Sequence, residues 1–473
     1  MWTRKINTST SFLRPILLTS QSTKAAHFRH FCNSVSRNSQ VYYIAKSTSK
    51  GETYRLHLEK SRHLVGIGST RGTREYNEDR YRSVVLDFGE DEAERKVNNQ
   101  SFVENDSKER TNISENEFQL EEGKAGQICY FAIFDGHGGS LCADYLTENL
   151  HKQIEEVEAS DADGIVSSWR KVGGYFRRFK PKTLIPLLSP ELLNNPPRYR
   201  SSENTDNNNS NLSVTRNFSS TSVSGTQHLP TTPSISSIPS TISGSSSLTL
   251  EQRLTLAFLK IDYELIGSIG QAVGSTASVA IVKSLDRFPF WSTKELDITV
   301  AHVGDTRVLL CEVPTGKAVS LSYDHHPNAT TEHDRLRKSG GYVITDSFGA
   351  ERFLGSLANT RALGDSKLKK FGITAEPDIM NKRIKGNDAA FLVLVSDGVT
   401  SVLSNQEIVD CVKIHTDPTL SATKLVALAE ELGSEDNITA MVIRLPGWGS
   451  EMPDHTKELR KYRLENTSIR RRT

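Results

Sequence analysis

Acidic residues are missing from the first 50 positions, although the whole 473-residue chain carries 57 of them against 58 lysines and arginines. Over that stretch Arg4, Lys5, Arg14, Lys24, Arg29, Arg37, Lys46 and Lys50 supply positive charge, and serine and threonine fill much of the rest. A basic, serine-rich, acid-poor lead is the composition of a mitochondrial transit peptide. A secretory signal needs an apolar stretch of about 7–15 residues, and none occurs here. Phe12, Leu13, Ile16 and Leu17 offer only a short stripe, interrupted by Pro15. Arg29-His30-Phe31 before Cys32 has the form of a processing site with arginine shortly ahead of the cut. Residues 1–50 are therefore expected to be an import signal and disordered lead, and the protein to be mitochondrial, in the matrix or the intermembrane space.

Other absences narrow the class. No apolar run approaches the roughly 20 residues that span a bilayer, so no transmembrane segment is expected. The five cysteines are scattered and form no Cys-x-x-Cys pair, which argues against a disulfide framework or a thiolate zinc site. A net charge of +1 with no basic stripe gives no footprint for nucleic acid. Glu90 to Gly123 and Ser201 to Ser247 are polar and poor in apolar periodicity, the second dominated by Ser, Asn and Thr. Such segments bury too little apolar surface to offset chain entropy. The expected organisation is a globular domain over 56–445, with polar insertions at about 89–124 and 170–249. A basic tail over 446–473 would be solvated or frayed.

Short apolar runs suggest strands at His63–Ser69, Arg80–Asp87, Ile128–Phe134, Ser275–Lys283, Ile298–Val303, Arg307–Cys311, Phe391–Val395 and Ile438–Ile443. Helical spacing appears at Leu141/Tyr145/Leu146/Leu150, at Leu254/Ala257/Phe258/Ile261/Leu265 and at Ala422/Leu425/Val426/Ala429, with a short helix at Glu332–Ser339. Many strands without regular β-α alternation argue against a doubly wound parallel sheet and for packed antiparallel sheets covered by helices.

Five polar turns end or precede these runs: Arg74 to Glu78-Asp79, Asp135-Gly136-His137-Gly138-Gly139, Gly304-Asp305-Thr306-Arg307, Ser396-Asp397-Gly398 and Glu435-Asp436-Asn437. Carboxylates at strand ends can converge on one sheet edge, where oxygen ligands suit hard cations such as Mg²⁺ and Mn²⁺. Any single Asp-Gly reads as an ordinary turn. In this order, with Gly274-Ser275-Thr276-Ala277, Asp324-His325-His326-Pro327, Thr360-Arg361-Ala362-Leu363-Gly364-Asp365 and Glu376-Pro377-Asp378, they resemble the motif set of the type 2C (PPM) protein phosphatases. The resemblance covers roughly Leu64 to Leu445.

That resemblance implies an α+β fold, an α-β-β-α sandwich of two antiparallel sheets flanked by helices. It also implies a centre of two Mg²⁺ or Mn²⁺ ions with a weaker third. By motif position Asp135 would bridge both ions, and Asp397 and Asp436 would complete one. Glu78 and the Gly136 carbonyl would face the other, and Asp79 would brace the ligands. Asp305, with Asp397, would hold the third ion. Arg74 would clamp the substrate phosphate and His137 would protonate the leaving group. The expected activity is hydrolysis of phosphoserine and phosphothreonine by a monomeric enzyme. Phosphorylated mitochondrial proteins are the expected partners, with the pyruvate dehydrogenase complex a candidate by family analogy. Arg361 and Asp365 are read as an internal polar network, and His325 and His326 as loop structure. Three positions depart from the common pattern: Thr400, His302 and Thr306 stand where tryptophan, asparagine and serine are frequent. None removes an expected metal ligand.

Overall fold

Strand Ile128–Phe134 carries the logic of the architecture, because both of its faces are buried. Successive side chains of a strand point to opposite faces. Cys129, Phe131 and Ile133 face one apolar cluster, and Tyr130, Ala132 and Phe134 face another. A computed structural model describes residues 42–46, 53–88, 127–194, 247–286, 288–345, 351–355 and 357–470. In it, this strand lies inside a five-stranded sheet ordered Asp378–Lys385, Glu295–Val303, Ala277–Ser284, Ile128–Phe134, Arg80–Leu86. A second five-stranded sheet runs Ala318–Ser320, Arg307–Glu312, Ala389–Val395, Ile438–Arg444, Val65–Thr70. Every pairing in both sheets is antiparallel.

Between the sheets, Phe131 and Ile133 meet Leu310, Leu392, Leu394 and Met441. The outer face of the first sheet is covered by helices Leu141–Glu156 and Leu250–Leu265, through Leu146, Leu150, Leu254 and Phe258. The outer face of the second is covered by helices Asn405–Lys413 and Pro418–Glu431, through Ile408, Val412, Leu425 and Ala429. This is the expected α-β-β-α sandwich. Capping boxes start two of these helices, at Thr249 with Gln252 and at Ser404 with Glu407.

The structure departs from the sequence reading in three places. Tyr42–Lys46, inside the expected lead, is a strand paired with Thr53–His57. Its Tyr43 is buried against Phe290 and Trp291, and the Gln127 amide bonds both the N–H and the C=O of Ile44. Residues 170–194, inside the expected second insertion, fold as helical turns. Phe176, Phe179 and Leu184 give them an apolar anchor against Trp169, whose ring centroid lies 4.4 Å from that of Phe176. The expected frayed tail is a helix, Lys457–Arg470. Arg463 pairs with Glu407 at 2.6 Å, Arg460 pairs with Asp454 at 2.7 Å, and Leu464 packs on the outer cluster of the second sheet. Residues 1–41 of the expected lead, 89–126 and 195–246 lie outside the described residues.

Candidate metal centre

The acidic turns meet at one edge of the sandwich because antiparallel register puts the right strand ends side by side. Arg80 pairs with Phe134, so Glu78 and Asp79 before one strand stand next to Asp135 after the other. Ala277 pairs with Val303, which carries the Gly304-Asp305 turn to the same edge. In the second sheet Val395 pairs with both Arg307 and Ala440, which places Asp397 beside Asp436.

The backbone at Asp135 is pinned by the Gly274-Ser275-Thr276 segment. Asp135 N–H donates to Thr276 Oγ1 at 3.1 Å, and its carbonyl accepts from Thr276 N–H at 2.9 Å and Ser275 Oγ at 3.1 Å. Gly136 must be glycine, since a Cβ there would stand 2.8 Å from the Glu78 carbonyl oxygen. One carboxylate oxygen from each of Asp135, Asp305 and Asp397 lies within 4.8 Å of the other two. Burial and repulsion from neighbouring carboxylates push Asp135 well above the usual carboxylate range and lift Asp397 to about 7, while burial, with repulsion from Asp324, raises Asp305. Such a group is unfavourable by itself. It becomes favourable around a divalent cation, and hard carboxylate oxygens at this spacing fit Mg²⁺ or Mn²⁺.

The remaining expected residues surround this trio. Asp79 is buried and accepts from Ser396 Oγ at 2.8 Å, one residue before Asp397; burial raises it to about 6. Glu78 donates its N–H to Asn437 Oδ1 at 2.7 Å, and Asn437 also bonds the carbonyls of Arg71 and Tyr76. Asn437 thus ties the Arg74–Asp79 turn to the strand that follows Asp436. Asp436 accepts from Arg74 Nη2 at 2.7 Å, and the Arg74 side chain is 58% exposed. Asp436 and Glu78 stand outside the three-aspartate group.

His137 Nε2 lies 2.8 Å from Asp365 Oδ2. Burial opposes a charged imidazole here, but Asp365, then Asp305 and Glu78, outweigh it and the His137 pKa stands above its ordinary value. Gly274 makes room for the pair: a Cβ there would be 2.3 Å from Asp365 Oδ2 and 2.6 Å from His137 Nε2. The sequence reading grouped Asp365 with Arg361, and the structure separates them. Arg361 joins Glu332 at 2.8 Å and Asp378 at 2.7 Å, with Arg335 also on Glu332 at 2.7 Å. Asp365, at a left-handed φ of 48°, turns to the histidine instead. Behind it, the buried Asp262 accepts from Gly364 N–H at 2.7 Å and pairs with buried Lys369 at 2.5 Å.

Around Asp305 two histidines fix the turn. His325 Nδ1 accepts from Gly304 N–H at 3.0 Å and its Nε2 faces Asp378 at 3.0 Å. His302 stacks on it at 4.8 Å, bonds the Gly304 carbonyl through Nε2 and faces Ser278 Oγ through Nδ1. Burial lowers both pKa values, and the His325 Nδ1 that accepts the Gly304 N–H carries no proton. The reading of His325 as loop structure matches this geometry, whereas His326 faces Asp305. Asn359, which the sequence reading did not single out, donates from Nδ2 to Asp305 Oδ1 at 2.9 Å.

Comparison with known proteins gives a consistent relationship. The family described as Protein phosphatase 2C matches residues 198–438, a span holding Asp305, Asp397 and Asp436. Protein phosphatase 2C homolog 4 of Schizosaccharomyces pombe is 32% identical over 343 residues, 70% of this chain and 75% of that protein. Protein phosphatase 1K, mitochondrial, of Xenopus laevis is 37% identical over 193 residues, 41% of this chain and 47% of that protein. Probable protein phosphatase 2C 71 of Arabidopsis thaliana is 39% identical over 191 residues, 40% of this chain and 39% of that protein.

Proposed function

The chain belongs to the protein phosphatase 2C family of metal-dependent serine/threonine phosphatases, and on that premise we propose that it dephosphorylates mitochondrial phosphoproteins at the Asp135 edge of the sandwich. The observation that carries the site assignment is the convergence of Asp135, Asp305 and Asp397 within 4.8 Å. Asp135, Asp397 and Asp436, with the Gly136 carbonyl and Glu78, would hold two Mg²⁺ or Mn²⁺ ions, and Asp305 with Asp397 a weaker third. When bound, such ions supply Lewis acidity toward water and phosphate oxygens.

The chain's own groups do the rest. Arg74, more than half exposed, would leave Asp436 and present its planar guanidinium to two phosphate oxygens, which a lysine could not match. His137, held by Asp365, protonates the serine or threonine alkoxide as it leaves. Asp79 braces the Ser396-Asp397 turn through the Ser396 hydroxyl, and Asn437 fixes Glu78. No cysteine nucleophile enters this scheme.

The mitochondrial assignment is supported by the acid-free, basic first 50 residues and by a relative whose name places it in mitochondria. The pyruvate dehydrogenase complex remains the candidate substrate, and a monomer the working state. Purified protein with Mn²⁺ or Mg²⁺ should hydrolyse a phosphothreonine peptide in the presence of okadaic acid and lose that activity in EDTA. Inactivity toward every phosphopeptide with metal bound would sink the phosphatase proposal. Subcellular fractionation with protease protection tests the compartment independently.

A further inference from the structure

We infer that exposed lysines and arginines around residues 174–182, 337–338 and 367–370 form a docking surface for acidic stretches flanking the phosphorylated residue of a protein substrate. The inference deepens the proposed phosphatase reading and rests on it. Three segments far apart in sequence build this surface. Gly174, at a left-handed φ of 54°, opens the turn Gly174–Arg178 and sits on the turn Lys369–Phe371. A Cβ at Gly174 would stand 2.1 Å from the Lys370 carbonyl oxygen, so only glycine allows the two turns to meet. The Gly372 carbonyl in turn accepts from Arg335 Nε at 3.1 Å, which brings in the end of the helix Thr330–Lys338.

Arg178, Lys180, Lys182, Lys338, Lys367 and Lys370 are all exposed. Among the described residues none of them takes part in an ion pair. The carboxylates of the neighbouring helix are engaged elsewhere. Glu332 holds Arg335 at 2.7 Å and Arg361 at 2.8 Å, and Asp334 faces Arg337 at 3.9 Å. In a chain whose net charge is only +1, so local an excess creates a positive field on one face rather than general basicity.

The surface adjoins the proposed site of chemistry. Asp365, which holds His137, is followed two residues later by Lys367 and five residues later by Lys370. Five residues span at most about 18 Å. An extended peptide with its phosphate at the Asp135 edge therefore reaches these cations within roughly eight positions of the phosphorylated residue. Phe176 and Phe179, the aromatic rings of the same basic stretch, are buried against Trp169. The stretch thus presents cationic heads while its aromatic rings, which could insert into a bilayer, point into the core. An acidic peptide suits such a face better than a lipid surface does.

The test gives the full chain, with Mn²⁺, two phosphothreonine peptides. One carries glutamates within about eight positions of the phosphothreonine and the other carries glutamines there. The wild type should hydrolyse the acidic peptide with a kcat/KM at least about tenfold higher, through KM, and about 1 M NaCl should erase the difference. Arg178→Glu, Lys180→Glu and Lys370→Glu together should remove the preference. Turnover of an aryl phosphate and kcat on both peptides should stay at the wild-type level. Equal kcat/KM for the two peptides in the wild type, a preference that ignores salt, or one that survives in the triple variant would overturn the inference and leave the phosphatase reading standing. Equal kcat/KM together with binding to phosphatidylcholine vesicles containing an anionic lipid, lost in the triple variant, would assign the surface to a membrane instead. Inactivity of the wild type toward both peptides would overturn the phosphatase reading, and this inference with it.

Discussion

His137 Nε2 and Asp365 Oδ2 are 2.8 Å apart, the carboxylate 2% exposed and the imidazole 32% exposed. A buried acid thus holds a ring that opens toward the cleft. Asp365→Asn should reduce turnover of a phosphothreonine peptide by about tenfold or more, short of the roughly 10²–10⁴ that a general acid contributes. Turnover of an aryl phosphate, whose leaving group needs no proton, should fall much less. Equal losses on both substrates would mean that Asp365 serves folding alone.

Asp135→Asn should abolish phosphatase activity while sparing the metal-free fold. Burial first, then repulsion from Asp397, Asp79 and Asp305, raises the Asp135 carboxyl, so a neutral amide there relieves both costs. The melting temperature in EDTA should stay level or rise, and the increase that Mn²⁺ gives the wild type should disappear. Differential scanning calorimetry with and without Mn²⁺ checks both halves.

Lys369 and Asp262 are each 0% exposed and joined at 2.5 Å. Lys369→Met would strand Asp262, and breaking a buried pair from one side costs about 3–5 kcal/mol. The double variant Lys369→Met, Asp262→Leu should recover much of that loss in urea denaturation. Because Asp262 also bonds Gly364 N–H, next to Asp365, the double variant should remain less active than its stability suggests.

Acid should weaken the protein through Glu332. Burial would raise its pKa, but Arg361 and Arg335 hold it far below the usual carboxylate range. A depressed folded-state pKa contributes stability that is complete above the unfolded value of about 4.3 and drains as pH falls below it. The slope from this one group approaches about 1.4 kcal/mol per pH unit. Glu332→Gln should lower stability at pH 7 and flatten the decline between pH 5 and 3, read from urea midpoints at each pH.

Where residue type and strand-end position acted together, sequence was sufficient. Asp135, Asp305 and Asp397 each close or follow an apolar run, so a sheet edge was the natural meeting point. Pairing partners were less legible. Asp365 and Arg361 are four residues apart in one polar motif, yet a left-handed backbone at Asp365 sends its side chain to His137. His326 and Asn359 belong to loops whose approach to Asp305 depends on tertiary packing. The helical turns over 174–194 were missed because their apolar residues are few, and their order comes from Trp169 rather than from local periodicity. The helix Lys457–Arg470 was missed for a similar reason, since its charge suggested solvent while Glu407 and Asp454 receive its arginines.

Arg74 and Asp436 touch across 362 positions of sequence, and the strand Val65–Thr70 closes its sheet only against Ile438–Arg444. A ribosome adding about 5–20 residues per second would therefore need roughly 20 to 70 seconds after Arg74 to deliver the last piece of the cleft. Until then Ala389–Val395 has no Ile438–Arg444 partner on one side, and the proposed centre lacks Asp436. Phosphatase capacity should appear all at once at the end of synthesis, and a chain stopped before Asp436 contributes none.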